Sequence, residues 1–174
     1  PMVQRLGEVL WVVDLNRQSL DRIVPDIAIS RWQGMFAAAG WQVLEVKYGR
    51  VLQDLFARPG GSVLRDRIDG MGNEEYQFLL RSPLTSLRDR LVGDSLPLAG
   101  VLENLSDEQV RTALRDLGGH DLAELRTAFA AVDNTRPPVV FAYTVKGRGL
   151  PLEGSPSNHS ALLAQEQDAG LATA

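Results

Sequence analysis

The run Val9-Leu10-Trp11-Val12-Val13 is rich in β-branched and aromatic residues, and it stops abruptly at Asp14-Leu15-Asn16-Arg17-Gln18. A short, continuous apolar run of this kind predicts a buried parallel strand that delivers polar groups from its carboxyl end. Parallel strands need long crossover connections, usually helical. In open α/β sheets, ligands bind at the edge formed by the carboxyl ends of the strands. One short segment therefore points both to a fold class and to the edge on which its chemistry would sit.

The rest of the chain has the matching organisation. Ser30-x-x-Gln33 has the form of a capping box, Trp32, Met35, Phe36 and Ala39 recur at helical spacing, and Gly40 is a natural helix stop. Trp41-Gln42-Val43-Leu44-Glu45-Val46 reads as a second strand, so strand, helix and strand follow in order and a right-handed parallel crossover is expected. From 50 to 92 the text is helical but broken at Pro59-Gly60-Gly61, Gly70-Met71-Gly72 and Pro83, which predicts a helical insertion serving as scaffold and subunit contact. Residues 93–104 read as loop. Ser106-x-x-Gln109 opens a helix through Leu117, and Asp121-x-x-Glu124 opens another through Val132. Pro137-Pro138 ends the helical text, and Val139-Val140-Phe141-Ala142-Tyr143-Thr144-Val145 is the clearest strand. The expected architecture is α/β, a parallel sheet over 9–15, 41–47 and 139–145 with helices on both faces.

Composition narrows the function. A net charge of -4 lacks the basic face that nucleic-acid binding uses. The absence of cysteine removes disulfides and thiolate chemistry, and two histidines make a poor basis for a His-built metal site. No apolar run reaches the length of a membrane span, and the first residues do not read as a signal peptide. A cytoplasmic location is expected, with no membrane and no nucleic-acid partner. Pro1-Met2 reads as a cleavage scar or the interior of a longer chain, and Gly7 leads into the first strand with no helix before it. The expectation is a piece of a larger protein.

Asn16 offers a neutral side-chain oxygen, and Gln18 presents its backbone carbonyl to the same side as the chain turns. Mg²⁺ accepts such oxygens, usually completed by a carboxylate and by phosphate oxygens. Taken alone, Asn-x-Gln also describes a strand-end Asn capping a turn. It does not stand alone. Asn16-x-Gln18-x-Leu20-Asp21 is followed by Ala39-Gly40-Trp41 with Val43 and Val46, by Gly118-Gly119-His120-Asp121, by Tyr143-Thr144-Val145-Lys146-Gly147-x-Gly149, and by Glu153-Gly154 with His159. In this order and spacing, from about Leu10 to His159, the chain resembles the homodimeric type of pyruvate dehydrogenase. That is the thiamine-dependent decarboxylating component within the transketolase-like superfamily.

The resemblance implies a thiamine-diphosphate-binding fold, with residues 1–146 as part of the diphosphate- and Mg²⁺-binding domain and 147–174 as a mobile active-site loop and tail. It implies that the Asn16 side chain and the Gln18 carbonyl hold the Mg²⁺ bridging the diphosphate of thiamine diphosphate. The family's third ligand comes from a Gly-Asp-Gly turn, which does not occur in these 174 residues. Asp14 aligns with a polar family position that is not a ligand. The activating Glu belongs to a separate aminopyrimidine-binding domain. His159 falls in the loop that assists acyl transfer to a lipoyl arm, a task suited to imidazole because it titrates near neutrality. The implied partners are the remaining parts of the same enzyme, a second copy in a homodimer, and a dihydrolipoyl acyltransferase. A transketolase-like two-carbon transferase and a non-catalytic assembly domain are the competing readings.

Overall fold

The computed structural model describes residues 9–20, 22–24, 29–165 and 167. The readings placed on Pro1-Met2, on Gly7 and on Asp21 lie outside the described residues.

Three strands form one parallel sheet. They are β1 (Trp11–Leu15), β4 (Gln42–Val46) and β5 (Pro138–Tyr143), in the spatial order β1-β5-β4. The register runs from Trp11↔Val139 to Leu15↔Tyr143 on one side of β5 and from Gln42↔Pro138 to Val46↔Ala142 on the other. All three carboxyl ends therefore finish at one edge, as expected. Pro138 opens the central strand, the one strand position where the missing N–H is tolerated.

Alternation along the strands assigns the two faces. On one side, α1 (Ile29–Ala38) brings Phe36 against Trp41 and Phe141, ring centres 5.2 and 5.8 Å apart, and Leu15, Val139 and Val43 join this cluster. On the other, the Gln42 side chain bonds both the Ala131 carbonyl (2.7 Å) and the Asp133 N–H (2.6 Å), at the end of α8 (Leu122–Ala130). Gly40 takes φ 82° and ends α1, as its position suggested.

Between β4 and β5 lies a helical unit: α2 (Arg50–Phe56), α3 (Gly61–Asp69), α4 (Asn73–Arg81), α5 (Leu84–Val92), α6 (Leu96–Leu102) and α7 (Asp107–Arg115). It carries its own core, in which Leu52, Leu64, Leu87, Leu91, Leu98 and Leu114 are almost completely buried. Ser106 and Gln109 make the reciprocal capping box that the sequence indicated.

Five details differ from the sequence reading. β1 is not buried: among the described residues it pairs only with β5, and Val9, Leu10, Trp11 and Val12 are exposed. Residues 93–104 are not all loop, because Ser95 caps α6 through the Leu98 N–H and Leu98 and Leu102 anchor it. α7 ends at Arg115, and Leu117 instead bridges to Tyr48. Ser30 lies inside α1, and Gln33 reaches Glu45 on β4 (2.6 Å). Finally, the polar stretch after Asn16 makes a small antiparallel hairpin, β2 (Gln18–Ser19) with β3 (Arg22–Ile23), and Leu20 takes φ 54° within it.

Candidate active-site edge

Asn16 sits immediately past β1, at the carboxyl edge of the sheet. Its Oδ1 accepts the Gln18 N–H (2.9 Å), and its Nδ2 donates to Asp14 Oδ2 (2.7 Å). The backbone carbonyl of Asn16 accepts from Gln77 Nε2 on α4 at 3.3 Å. The two side-chain bonds fix the amide, and the one from the Gln18 N–H closes a tight turn. Asp14 also accepts from the Thr144 hydroxyl, tying the end of β1 to the end of β5. Asp14 thus has the strand-end hydrogen-bonding role that competes with ligation.

Gln18 faces the segment that follows β5: its Nε2 donates to the Gly154 carbonyl at 3.4 Å, and its Oε1 is buried without a hydrogen-bond partner among the described residues. That segment is a chain of turns. Gly147, Gly149 and Gly154 all take positive φ, the Gly154 N–H and Asn158 Nδ2 both reach the Lys146 carbonyl (2.9 Å each), and Lys146 Nζ donates to the Leu20 carbonyl at 2.8 Å. Glu153 accepts from the Gly149 N–H (2.9 Å) and lies 3.5 Å from Arg115 Nε. His159 and Ser160 line a cleft of about 610 Å³ with Ser19, Leu20, Arg22, Ile23 and Val24. The fold therefore brings Asn16 and Gln18 together, and lays His159 along the hairpin that continues from them.

The donor set fits half of a Mg²⁺ site. Asn16 supplies a neutral oxygen held by its own turn, but the neighbouring carboxylate, Asp14, is engaged by Asn16 and Thr144. Among the described residues no three His, Cys, Asp or Glu side chains converge as a metal site. Mg²⁺ sheds water reluctantly and favours a carboxylate beside phosphate oxygens.

The Gly118-Gly119-His120-Asp121 landmark has a packing role. A Cβ on Gly118 would meet the Val46 backbone at 2.8 Å, and one on Gly119 would meet the Tyr143 carbonyl at 2.6 Å. His120 Nε2 accepts the Val145 N–H (2.7 Å); burial, with Arg148 nearby, holds its pKa below the ordinary value and keeps that acceptor neutral. Asp121 caps α8 through the Ala123 and Glu124 N–H groups. Its second oxygen accepts from Arg50 Nε (2.9 Å), which is the main reason its pKa falls to about 2.

Two residues escaped sequence reasoning. Gln77 is fully buried and grips Asn16, although it reads as one more position of an amphipathic helix. Its signal is a polar residue at helical spacing among Tyr76, Leu79 and Leu80. Arg17, hidden at the middle position of Asn-x-Gln, takes φ 62° and stacks its guanidinium 4.1 Å from the centre of the Tyr76 ring.

The fold is that of an α/β protein with a parallel sheet and helices on both faces, the class in which ligands bind at the carboxyl edge of the strands. The comparisons with known proteins narrow this. The chain is 31% identical over 150 residues to the pyruvate dehydrogenase E1 component of Pseudomonas aeruginosa, covering 84% of this chain and 17% of that protein. It is 29% identical over 152 residues to that of Corynebacterium glutamicum (85% and 16%) and 26% identical over 151 residues to that of Escherichia coli (84% and 17%). No family model matches. Over these residues the chain is a homologue of part of the pyruvate dehydrogenase E1 component, the relationship that the order of its motifs implied. It spans about one sixth of the length of these relatives.

Proposed function

We propose that this chain is part of a thiamine-diphosphate-dependent pyruvate dehydrogenase, and that it contributes the neutral-oxygen half of the Mg²⁺ site. The observation that carries this reading is the Asn16–Gln18 turn, fixed by the Gln18 N–H on Asn16 Oδ1 at the carboxyl edge of the sheet. The Asn16 side chain and the Gln18 carbonyl would hold the ion, and a carboxylate from another part of the protein would complete it. When bound, thiamine diphosphate supplies the carbanion and the electron sink for decarboxylation of a 2-oxo acid. Asn16 and Gln18 would thereby hold the cofactor's metal, and His159 would move a proton during transfer of the acetyl group to a lipoyl carrier. The segment after Lys146 closes over the site and excludes water, with its positive-φ glycines as hinges.

On this reading the protein works as a cytoplasmic homodimer beside a dihydrolipoyl acyltransferase, and residues 1–146 and 147–174 serve as binding domain and active-site loop. No helix among the described residues is long and apolar enough to cross a membrane. The missing carboxylate leads to a direct test by calorimetry. Residues 1–174 in isolation bind thiamine diphosphate weakly or not at all, whereas the complete enzyme binds it with Mg²⁺. Tight, Mg²⁺-dependent binding to the isolated segment contradicts the division of ligands proposed here.

A further inference from the structure

Arg17, the middle residue of Asn16-Arg17-Gln18, takes φ 62°, in the left-handed region that a side chain other than glycine enters only at a cost. That conformation turns the chain back on itself, and the Gln18 N–H reaches Asn16 Oδ1 across it at 2.9 Å. Backbone of this kind persists where its surroundings enforce it. The neighbours of Arg17 show what does so here.

The side chain is held from two elements. Its guanidinium carbon lies 4.1 Å from the ring centre of Tyr76 on α4 and 5.6 Å from that of Tyr143 at the end of β5. Tyr76 is almost completely buried and its hydroxyl donates to the Leu114 carbonyl on α7, so this ring is fixed in place. Nη1 of Arg17 is buried without a hydrogen-bond partner among the described residues, which leaves ring stacking as the contact that holds that side of the group.

The backbone on either side is held as well. The Asn16 carbonyl accepts from Gln77 Nε2 (3.3 Å), and the Arg17 carbonyl accepts the Val24 N–H (3.0 Å). Tyr76 and Gln77 are consecutive on α4, so one turn of the helical insertion grips both the Arg17 side chain and the peptide before it. The Asn-x-Gln pattern asks for no ligand at its middle position, which leaves that residue available to set geometry. A guanidinium suits the task, because its planar, delocalised charge stacks on aromatic faces while a long stem spans the gap to them.

We propose that Arg17 is a positioning residue for the metal turn: stacked on Tyr76 and against Tyr143, it holds the left-handed backbone that presents Asn16 Oδ1 and the Gln18 carbonyl together. This rests on the assignment of those two oxygens to the metal. In the test, the complete enzyme is titrated with Mn²⁺ at saturating thiamine diphosphate, and free Mn²⁺ is counted by electron paramagnetic resonance; Mn²⁺ favours the same oxygen ligands as Mg²⁺. Thermal unfolding of the cofactor-free enzyme is followed alongside. Arg17→Ala weakens Mn²⁺ binding by about tenfold or more, the scale of losing a group that orients a metal ligand. Arg17→Gly, which adopts the left-handed conformation freely but cannot stack, weakens it to a similar extent. Arg17→Lys, which keeps a cation to lie over the Tyr76 ring, recovers part of the loss. Variants that unfold at lower temperature yet bind Mn²⁺ like the wild type make Arg17 a packing residue and overturn the proposal. Wild-type affinity in Arg17→Gly alone also overturns it, since backbone freedom and not the stacked side chain then sets the turn. Asn16→Ala separates this result from the metal assignment. If it weakens Mn²⁺ binding while the Arg17 variants do not, only the positioning role falls; if it too has no effect, the metal assignment falls and the positioning role with it. Should Arg17→Ala fail to fold, Arg17→Gly and Arg17→Lys decide by the same criteria.

Discussion

Asn16 makes three hydrogen bonds: its side-chain oxygen accepts the Gln18 N–H, its side-chain nitrogen donates to Asp14, and its backbone carbonyl accepts from Gln77. In the complete enzyme, Asn16→Ala weakens Mg²⁺-dependent cofactor binding by about tenfold or more, the cost typical of losing a metal-orienting contact. Calorimetry reads this directly, and unchanged affinity removes Asn16 from the metal site. His159→Ala spares decarboxylation assayed with an artificial electron acceptor more than it spares lipoyl-linked turnover; equal losses in the two assays rule out a specific acyl-transfer role. Asp121 is the clearest electrostatic case. Its pKa falls from 3.8 to about 2, chiefly through Arg50, so its contribution to stability is fully present above about pH 4 and is lost as pH falls through about 2. Asp121→Ala removes both the cap and the ion pair and costs about 1–2 kcal/mol by denaturant titration at pH 7. A variant as stable as the wild type shows that water replaces both. The motif singled out Asn16, Gln18 and Asp121, and the structure places the first two in one turn and the third at the cap of α8. Gln77 and Arg17 were not singled out, because their importance comes from burial against chain segments far away in sequence.

The elements show the same division. The three strands were legible from apolar runs bounded by turn residues, and two of the three proposed caps were legible from their four-residue patterns. The exposure of β1 was not, because an apolar strand records its preference for cover and not what covers it. α6 was missed because Pro97 and Gly100 in a seven-residue helix look like punctuation; its formation depends on Leu98 and Leu102 reaching a core supplied by other helices. Leu98→Ala therefore costs about 2–5 kcal/mol, measured by thermal or denaturant unfolding. The close approach of Gly119 to the Tyr143 carbonyl makes a second test at this scale. Gly119→Ala forces the end of β5 away and destabilises by about 1–3 kcal/mol. A neutral effect in either variant contradicts the packing described.

At the scale of the molecule, two cores meet at one edge. The sheet and α1 share an aromatic cluster around Phe36, while α2 through α7 close around leucines. Their junction carries the turn after β1, which is why Gln77 of the helical unit bonds Asn16 of the sheet. The segment after β5 closes the same junction through Gln18 and Lys146. The helical insertion is thus part of what shapes the proposed metal edge, beyond the scaffold role its sequence suggested. The most direct test is a crystal structure of the complete enzyme with thiamine diphosphate and Mg²⁺. The account predicts Asn16 Oδ1 and the Gln18 carbonyl oxygen both at about 2.1 Å from the ion. An ion ligated by neither contradicts it.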